Sequence, residues 1–93
     1  MQRQQTAKIT MYRTRGCPFC IAAEDLLEAR GLVFDQVYLD DHPDRSAFTA
    51  AILPGHGTVP LIVLDDDPLG GFDRLRELDA QGELERRAFA ATS

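Results

Sequence analysis

Cys17 and Cys20 stand with two residues between them in Gly16-Cys17-Pro18-Phe19-Cys20, and the chain has no other cysteine. Thiols at that spacing on the opening turn of a helix can close an internal disulfide, yet their surroundings there differ. Cys17, nearer the terminus, meets unpaired backbone N–H groups and the positive end of the helix dipole, which favour the attacking thiolate. Arg13 and Arg15 add positive charge nearby. Cys20, one turn inside, is shielded and placed to attack a mixed disulfide formed at Cys17. Cys17 is thus the expected nucleophile and Cys20 the resolving thiol. Other uses of the pair fit less well. A structural disulfide over so short a loop stabilises by only about 2 kcal/mol. A zinc site needs four ligands, and the only histidines, His42 and His56, have thirteen residues between them instead of the three to five of a usual pair. Two inert core cysteines are reasonable singly, but the Gly-Cys-Pro approach between a strand and a helix favours redox chemistry.

The flanking elements supply that setting. "KITMY" alternates polar and apolar residues and ends in Arg13-Thr14-Arg15-Gly16, the pattern of a short strand running into a loop. Pro18 suits a first helical turn, Ala22, Ala23, Leu26, Leu27 and Ala29 favour helix, and Gly31 stops it. "LVFDQVYL" has the β-branched and aromatic content of a second strand. "DDHPDR" caps a further helix with an expected apolar face of Ala47, Phe48, Ala51 and Ile52, ended by Pro54-Gly55. "VPLIVLDDDPLGG" suggests a hairpin about Asp65 to Asp67, with Pro68 at an edge. Phe72, Leu75 and Leu78 then recur at helical spacing, and a short amphipathic tail carries Leu84 and Phe89. The order β-α-β-α-β-β-α implies a central sheet with helices on its faces, and the cysteines at the C-terminal end of the first strand, where α/β proteins place their chemistry.

Ninety-three residues with 44% hydrophobic content suit one small domain, read as residues 8–93 behind a frayed tail over 1–7. Fifteen acidic against ten basic residues, a net charge of −5, argue against a phosphate-tracking surface and hence against nucleic acid. No run approaches the ~20 apolar residues of a membrane span, and "MQRQQTA" lacks the apolar stretch of a secretory signal. A cytoplasmic protein is expected, and that reducing compartment favours a cysteine pair that cycles between oxidation states over one that is permanently bridged.

"GCPFC" between a strand and a helix, "TVP" at Thr58 to Pro60 and "GGFD" at Gly70 to Asp73 resemble, in order and spacing, the motifs of the dithiol glutaredoxins. "LRELDAQGEL" resembles their C-terminal helix region, and the likeness covers residues 8 to 89. It implies a thioredoxin-like α/β fold with a four-stranded mixed sheet flanked by helices. It also implies a glutathione-dependent thiol-disulfide oxidoreductase, monomeric, acting on protein disulfides and glutathione mixed disulfides, with glutathione as co-substrate and no tightly bound cofactor or metal.

By the same resemblance Val59-Pro60 is a cis-proline turn whose Val59 main chain pairs with extended glutathione beside Thr58. Gly70 and Gly71 let the backbone approach the ligand. Phe72 and Asp73 open a helix whose N–H groups meet the γ-glutamyl carboxylate, with the Asp73 side chain near the ammonium. Many family members have a lysine where this chain has Thr14, so Arg13 or Arg15 is the expected substitute. Phe19 replaces the usual tyrosine and keeps the aromatic cover, while Arg74 offers a further positive group or faces solvent. The resemblance also allows a hydrogen donor to ribonucleotide reductase recharged by thioredoxin reductase. It allows, too, a carrier of an iron-sulfur cluster held by Cys17 and glutathione, a role that Pro18 disfavours in the family. His42, His56 and Asp65 to Asp67 are expected on solvated surface.

Overall fold

Strand β1 (Ile9–Arg13) alternates burial along its length, with Ile9, Met11 and Arg13 on the inner face and Thr10 and Tyr12 on the other. It is central, pairing in parallel with β2 (Asp35–Tyr38) and antiparallel with β3 (Leu61–Leu64), which in turn pairs antiparallel with β4 (Asp67–Gly70). The order β2-β1-β3-β4 gives the expected four-stranded mixed sheet. The computed structural model describes residues 4–89; residues 1–3 of the expected tail and 90–93 of the expected domain lie outside them.

Helix α1 (Pro18–Ala29) begins with Cys17 as its N-cap and ends on Gly31 in the left-handed region at φ 69°. The Leu32 N–H bonds the Leu27 carbonyl and the Gly31 N–H that of Glu28, both at 3.0 Å, while Leu27 and Leu32 are both buried. This Schellman closure satisfies the last carbonyls and turns the chain back to the sheet. Helices α3 (Phe72–Ala80) and α4 (Glu83–Ala88) pack Leu75, Leu78, Leu84 and Ala88 with Ala23 and Leu27 of α1 against Ile9, Met11, Ile62 and Leu64. The expected amphipathic tail is therefore a helix of its own, begun at Gly82 with φ 76°.

Helix α2 (Arg45–Ile52) belongs to the opposite face, where Phe48 meets the Tyr12 ring edge-on at 5.3 Å. The apolar face expected for it is corrected here. Ala47 and Ala51 are exposed, and the residue fully buried is Thr49, whose hydroxyl is satisfied by the Ser46 carbonyl at 3.1 Å. Residues 5–7 ahead of β1 make contacts with the rest of the fold. Thr6 and Ala7 donate backbone N–H groups to the Ala88 carbonyl, Ala7 is buried, and the Gln5 amide exchanges two 2.7 Å hydrogen bonds with the Val33 backbone.

Candidate functional site

Because Cys17 is the N-cap, its Sγ lies among the orphan N–H groups of the first turn and accepts the Cys20 N–H at 3.2 Å. Pro18 follows at the first helical position, where a missing N–H costs nothing. On its other side the Cys17 Sγ stands 4.0 Å from the Val59 carbonyl oxygen, at a Val59-Pro60 peptide that is cis. Both thiols are free; Cys17 is half-buried and Cys20 fully buried. Burial, with the hydrogen bond to Cys17, pushes the Cys20 thiol up to about 12, while a backbone hydrogen bond from Thr14 and the charge of Arg13 act against that rise. The pair is unequal in the sense its spacing predicts: one accessible sulfur at a helix terminus, and one held neutral beneath it.

Beside Cys17 opens a cleft of about 340 Å³, lined by Phe19, Thr58, Val59, Pro60, Gly71, Phe72, Asp73 and Arg74, with His56 at its wall. Three separate stretches of sequence converge there. Phe19, 61% exposed, leans toward Phe72 with ring centroids 6.3 Å apart, forming an apolar wall. Gly71, as N-cap of α3, has no side chain to cap the helix, so its first-turn N–H groups carry no side-chain acceptor. A Cβ at Gly71 would lie 3.4 Å from both the Pro60 carbonyl oxygen and the His56 ring, which shows how closely the two loops approach. Gly70 holds φ 129°, a backbone shape that favours glycine.

Two of the expected site residues lie elsewhere. Arg13 is buried at the end of β1, where its Nη1 donates at 2.8 Å to both Glu24 and Gln36, so it cannot reach the cleft in place of a lysine. The alternation of "ITMYR" puts it on the core face, a signal obscured by treating the strand as ending at Tyr12. Arg15 stacks over the Tyr38 ring at 4.7 Å with Asp40 at 3.7 Å, and it does not line the cleft.

One residue was missed. His56, expected on solvated surface, donates from Nε2 to the Pro60 carbonyl at 3.1 Å and touches the Gly71 turn. Its place four residues before Pro60 is the only signal the sequence offers, and that signal is weak without the turn's geometry. His42 stays apart from the cleft, with its ring against Phe48 at 5.0 Å and its Nδ1 accepting the Asp44 N–H. Among the described residues no group of three or more His, Cys, Asp or Glu is arranged to hold a metal ion, and no helix is long and apolar enough to cross a membrane.

The glutaredoxin family model matches residues 9–69. A probable glutaredoxin of Synechocystis sp. is 38% identical over 79 residues, covering 85% of this chain and 72% of the relative. The solution structure of glutaredoxin from Brucella melitensis superimposes with a TM-score of 0.80 at 27% identity, covering 92% of each chain. The crystal structure of a buckwheat glutaredoxin-glutathione complex does so at 0.77 and 26% identity, covering 86% of this chain and 74% of the other. With a dithiol at the head of α1, a cis-proline turn against it and these matches along most of its length, the chain belongs to the glutaredoxin family of thiol-disulfide oxidoreductases.

Proposed function

We propose that this protein is a glutathione-dependent oxidoreductase that reduces glutathione mixed disulfides and protein disulfides through Cys17 and Cys20. The observation that carries the reading is the position of the Val59 carbonyl, 4.0 Å from the Cys17 sulfur at one end of a cleft whose other end is the uncapped first turn of α3. An extended tripeptide thiol can lay its backbone along Val59, bring its sulfur to Cys17 and leave its terminal carboxylate at the helix N–H groups. The buckwheat complex shows that a family member holds this ligand. Asp73 lines the same end for the ligand's ammonium, and Arg74 is the guanidinium on the cleft wall that we assign to a glutathione carboxylate in place of the absent lysine. A cytoplasmic monomer remains our reading of where and in what state the protein works.

With a glutathionylated protein, the Cys17 thiolate attacks the glutathione sulfur; the Cys17–glutathione bond forms, the bond to the protein sulfur breaks, and that thiolate takes up a proton. A second glutathione thiolate then attacks the sulfur of the bound glutathione, releasing oxidised glutathione and the Cys17 thiolate. With a protein disulfide, Cys17 forms a mixed disulfide with the substrate and Cys20 resolves it. The resulting Cys17–Cys20 disulfide is reduced by two glutathiones in turn.

The test is turnover of a glutathione mixed disulfide, recycled in parallel by glutathione with its reductase or by thioredoxin reductase, each driven by NADPH. Turnover with glutathione is expected, lost in Cys17→Ser and kept in Cys20→Ser, while Cys20→Ser loses activity on protein disulfides. Turnover with thioredoxin reductase alone would establish the alternative hydrogen-donor reading, which the lack of any cation at Thr14 favours. Activity surviving in Cys17→Ser would overturn both.

A further inference from the structure

Arg13 is the one buried charged side chain among the described residues, 4% exposed, and nothing in the first attack by Cys17 uses it. Its surroundings are organised. Nη1 donates at 2.8 Å to Glu24 Oε1 of α1 and at 2.8 Å to Gln36 Oε1 of β2, and the Gln36 amide closes the ring by donating to Glu24 Oε2 at 3.3 Å. The Tyr38 ring lies 5.0 Å from the guanidinium carbon, and Nε reaches the Thr14 carbonyl at 3.4 Å. Helix α1, strand β2 and the Thr14 backbone thus fix one cation at the end of β1. Glu24 sits one helical turn beyond Cys20 on the same face of α1, so the ion pair joins Arg13 to the helix face that carries the buried sulfur.

Cys20 meets Cys17 at the head of α1 and Arg13 and Thr14 at the end of β1, while Glu24 of α1 and Gln36 and Tyr38 of β2 surround the guanidinium. In the second half of the reaction, Cys20 loses its proton and its sulfur attacks Cys17 in the mixed disulfide. The Cys17–Cys20 bond forms, the bond to the substrate sulfur breaks, and that leaving thiolate takes up a proton. Cys20 is oxidised, the substrate sulfur is reduced, and no other oxidant or reductant enters. The step needs a full negative charge on a sulfur withdrawn from water, and a fixed cation in electrostatic range is what makes such a charge tolerable.

We propose that Arg13, held in place by Glu24 and Gln36, is a positioning residue for resolution: its charge stabilises Cys20 as the attacking thiolate, and Glu24 sets how much of that charge the sulfur feels. The inference rests on the dithiol reading of the site and is independent of glutathione as electron donor. The competing role is purely mechanical, a tie between α1 and the β1–β2 pair. The two differ in sign. Removing the Arg13 charge makes the Cys20 thiolate harder to form, whereas removing the Glu24 charge leaves Arg13 uncompensated and makes it easier; a mechanical tie is weakened by both changes.

The experiment uses 5,5′-dithiobis(2-nitrobenzoate) with the reduced full chain, followed by stopped flow across the neutral and mildly alkaline range. The first thionitrobenzoate released reports attack by Cys17, and the second reports resolution by Cys20. For Arg13→Gln we expect the second release, relative to the first, to slow about tenfold at neutral pH and its pH profile to move upward. Glu24→Gln should speed the second release about threefold and move the profile downward, and Arg13→Lys should keep the profile near that of the natural chain. Slowing in both charge-removing variants with an unmoved profile, or no change in either, overturns the proposal. Should Arg13→Gln prove unfolded by circular dichroism, the direction of the Glu24→Gln shift decides alone. A natural chain giving one release or none shows instead that the dithiol reading is wrong, and the probe contains no glutathione whose binding could confuse the result.

Discussion

Cys20 is the residue on which stability and chemistry disagree: burial that suits a core position also holds the thiol at about 12. Because the folded value is raised above the ordinary thiol range, the stabilisation is complete below about 9 and is lost as pH rises toward about 12. We expect the reduced protein to lose on the order of 2–4 kcal/mol of unfolding free energy over that window beyond what Cys20→Ala loses, measured by urea unfolding at a series of pH values. Parallel curves for the two proteins would show that Cys20 ionises as readily folded as unfolded. Arg74 carries the second expectation at this scale. Its guanidinium lines the cleft and pairs with Glu77 on its own helix, so part of its charge remains for a ligand. Arg74→Ala should raise KM for a glutathione mixed disulfide about 3- to 10-fold with kcat little changed, whereas Arg15→Ala, whose side chain stacks on Tyr38, should leave KM nearly as it was. The cysteines were legible because an N-cap and a position three residues into the helix dictate their unequal exposure. The cations were not, since which of Arg13, Arg15 and Arg74 meets the cleft depends on strand pairing and helix packing that local pattern does not encode.

At the scale of elements, α1 and α3 are the frame that keeps the thiol and the cleft in register. Their first turns meet through Phe19 and Phe72, and their far ends are joined by Arg30, which donates from Nε and Nη2 to the two Asp79 carboxylate oxygens at 2.6 and 2.8 Å. That paired hydrogen bond, with the Arg30 charge, holds the Asp79 carboxyl below its ordinary value. A lowered carboxyl stabilises above the ordinary range and loses that contribution as pH falls through the folded value. Asp79→Asn should therefore lower the unfolding midpoint at neutral pH, and the gap to the natural protein should close in acid; a gap that stays constant with pH would assign the loss to packing instead. Elements with strong local signals were legible: the Pro18 start and Gly31 stop of α1, and the acidic hairpin turn before Pro68. Helix α2 was only partly so. Eight residues give barely two turns, and Thr49, polar by type, is the buried one because its hydroxyl bonds back to the helix. The run "LVFDQVYL" suggests a longer strand than the four residues of β2, which is short because Leu32 serves the end of α1 and Val33 is 74% exposed.

At the scale of the whole molecule, residues 6 and 7 meet the end of α4. Composition and charge marked one small acidic domain, but strand order and the docking of residues 5–7 lie beyond any local pattern, since both depend on partners far along the chain. After Met1, six polar or small residues ahead of "KITMY" carry the signature of a frayed tail. In the fold, however, the Ala88 carbonyl at the end of α4 accepts from the Thr6 and Ala7 backbones at 2.9 and 3.2 Å, Ala7 closes the core, and Gln5 brackets the Val33 peptide on the far side of β1. The segment therefore ties α4 and the loop before β2 to the central strand, and through α4 it supports the packing of α3. A chain beginning at Lys8 should be less stable than one beginning at Gln4 by about 1–3 kcal/mol, from two lost backbone hydrogen bonds, the lost Gln5 pair and the opened edge of the core. Urea midpoints of the two truncations decide the matter: a lower midpoint for the shorter chain assigns residues 5–7 to the folded domain, and equal midpoints return them to the tail. Because α3 carries one wall of the cleft, the shorter chain should also raise KM more than it lowers kcat, so that damage at a chain end is read at the site.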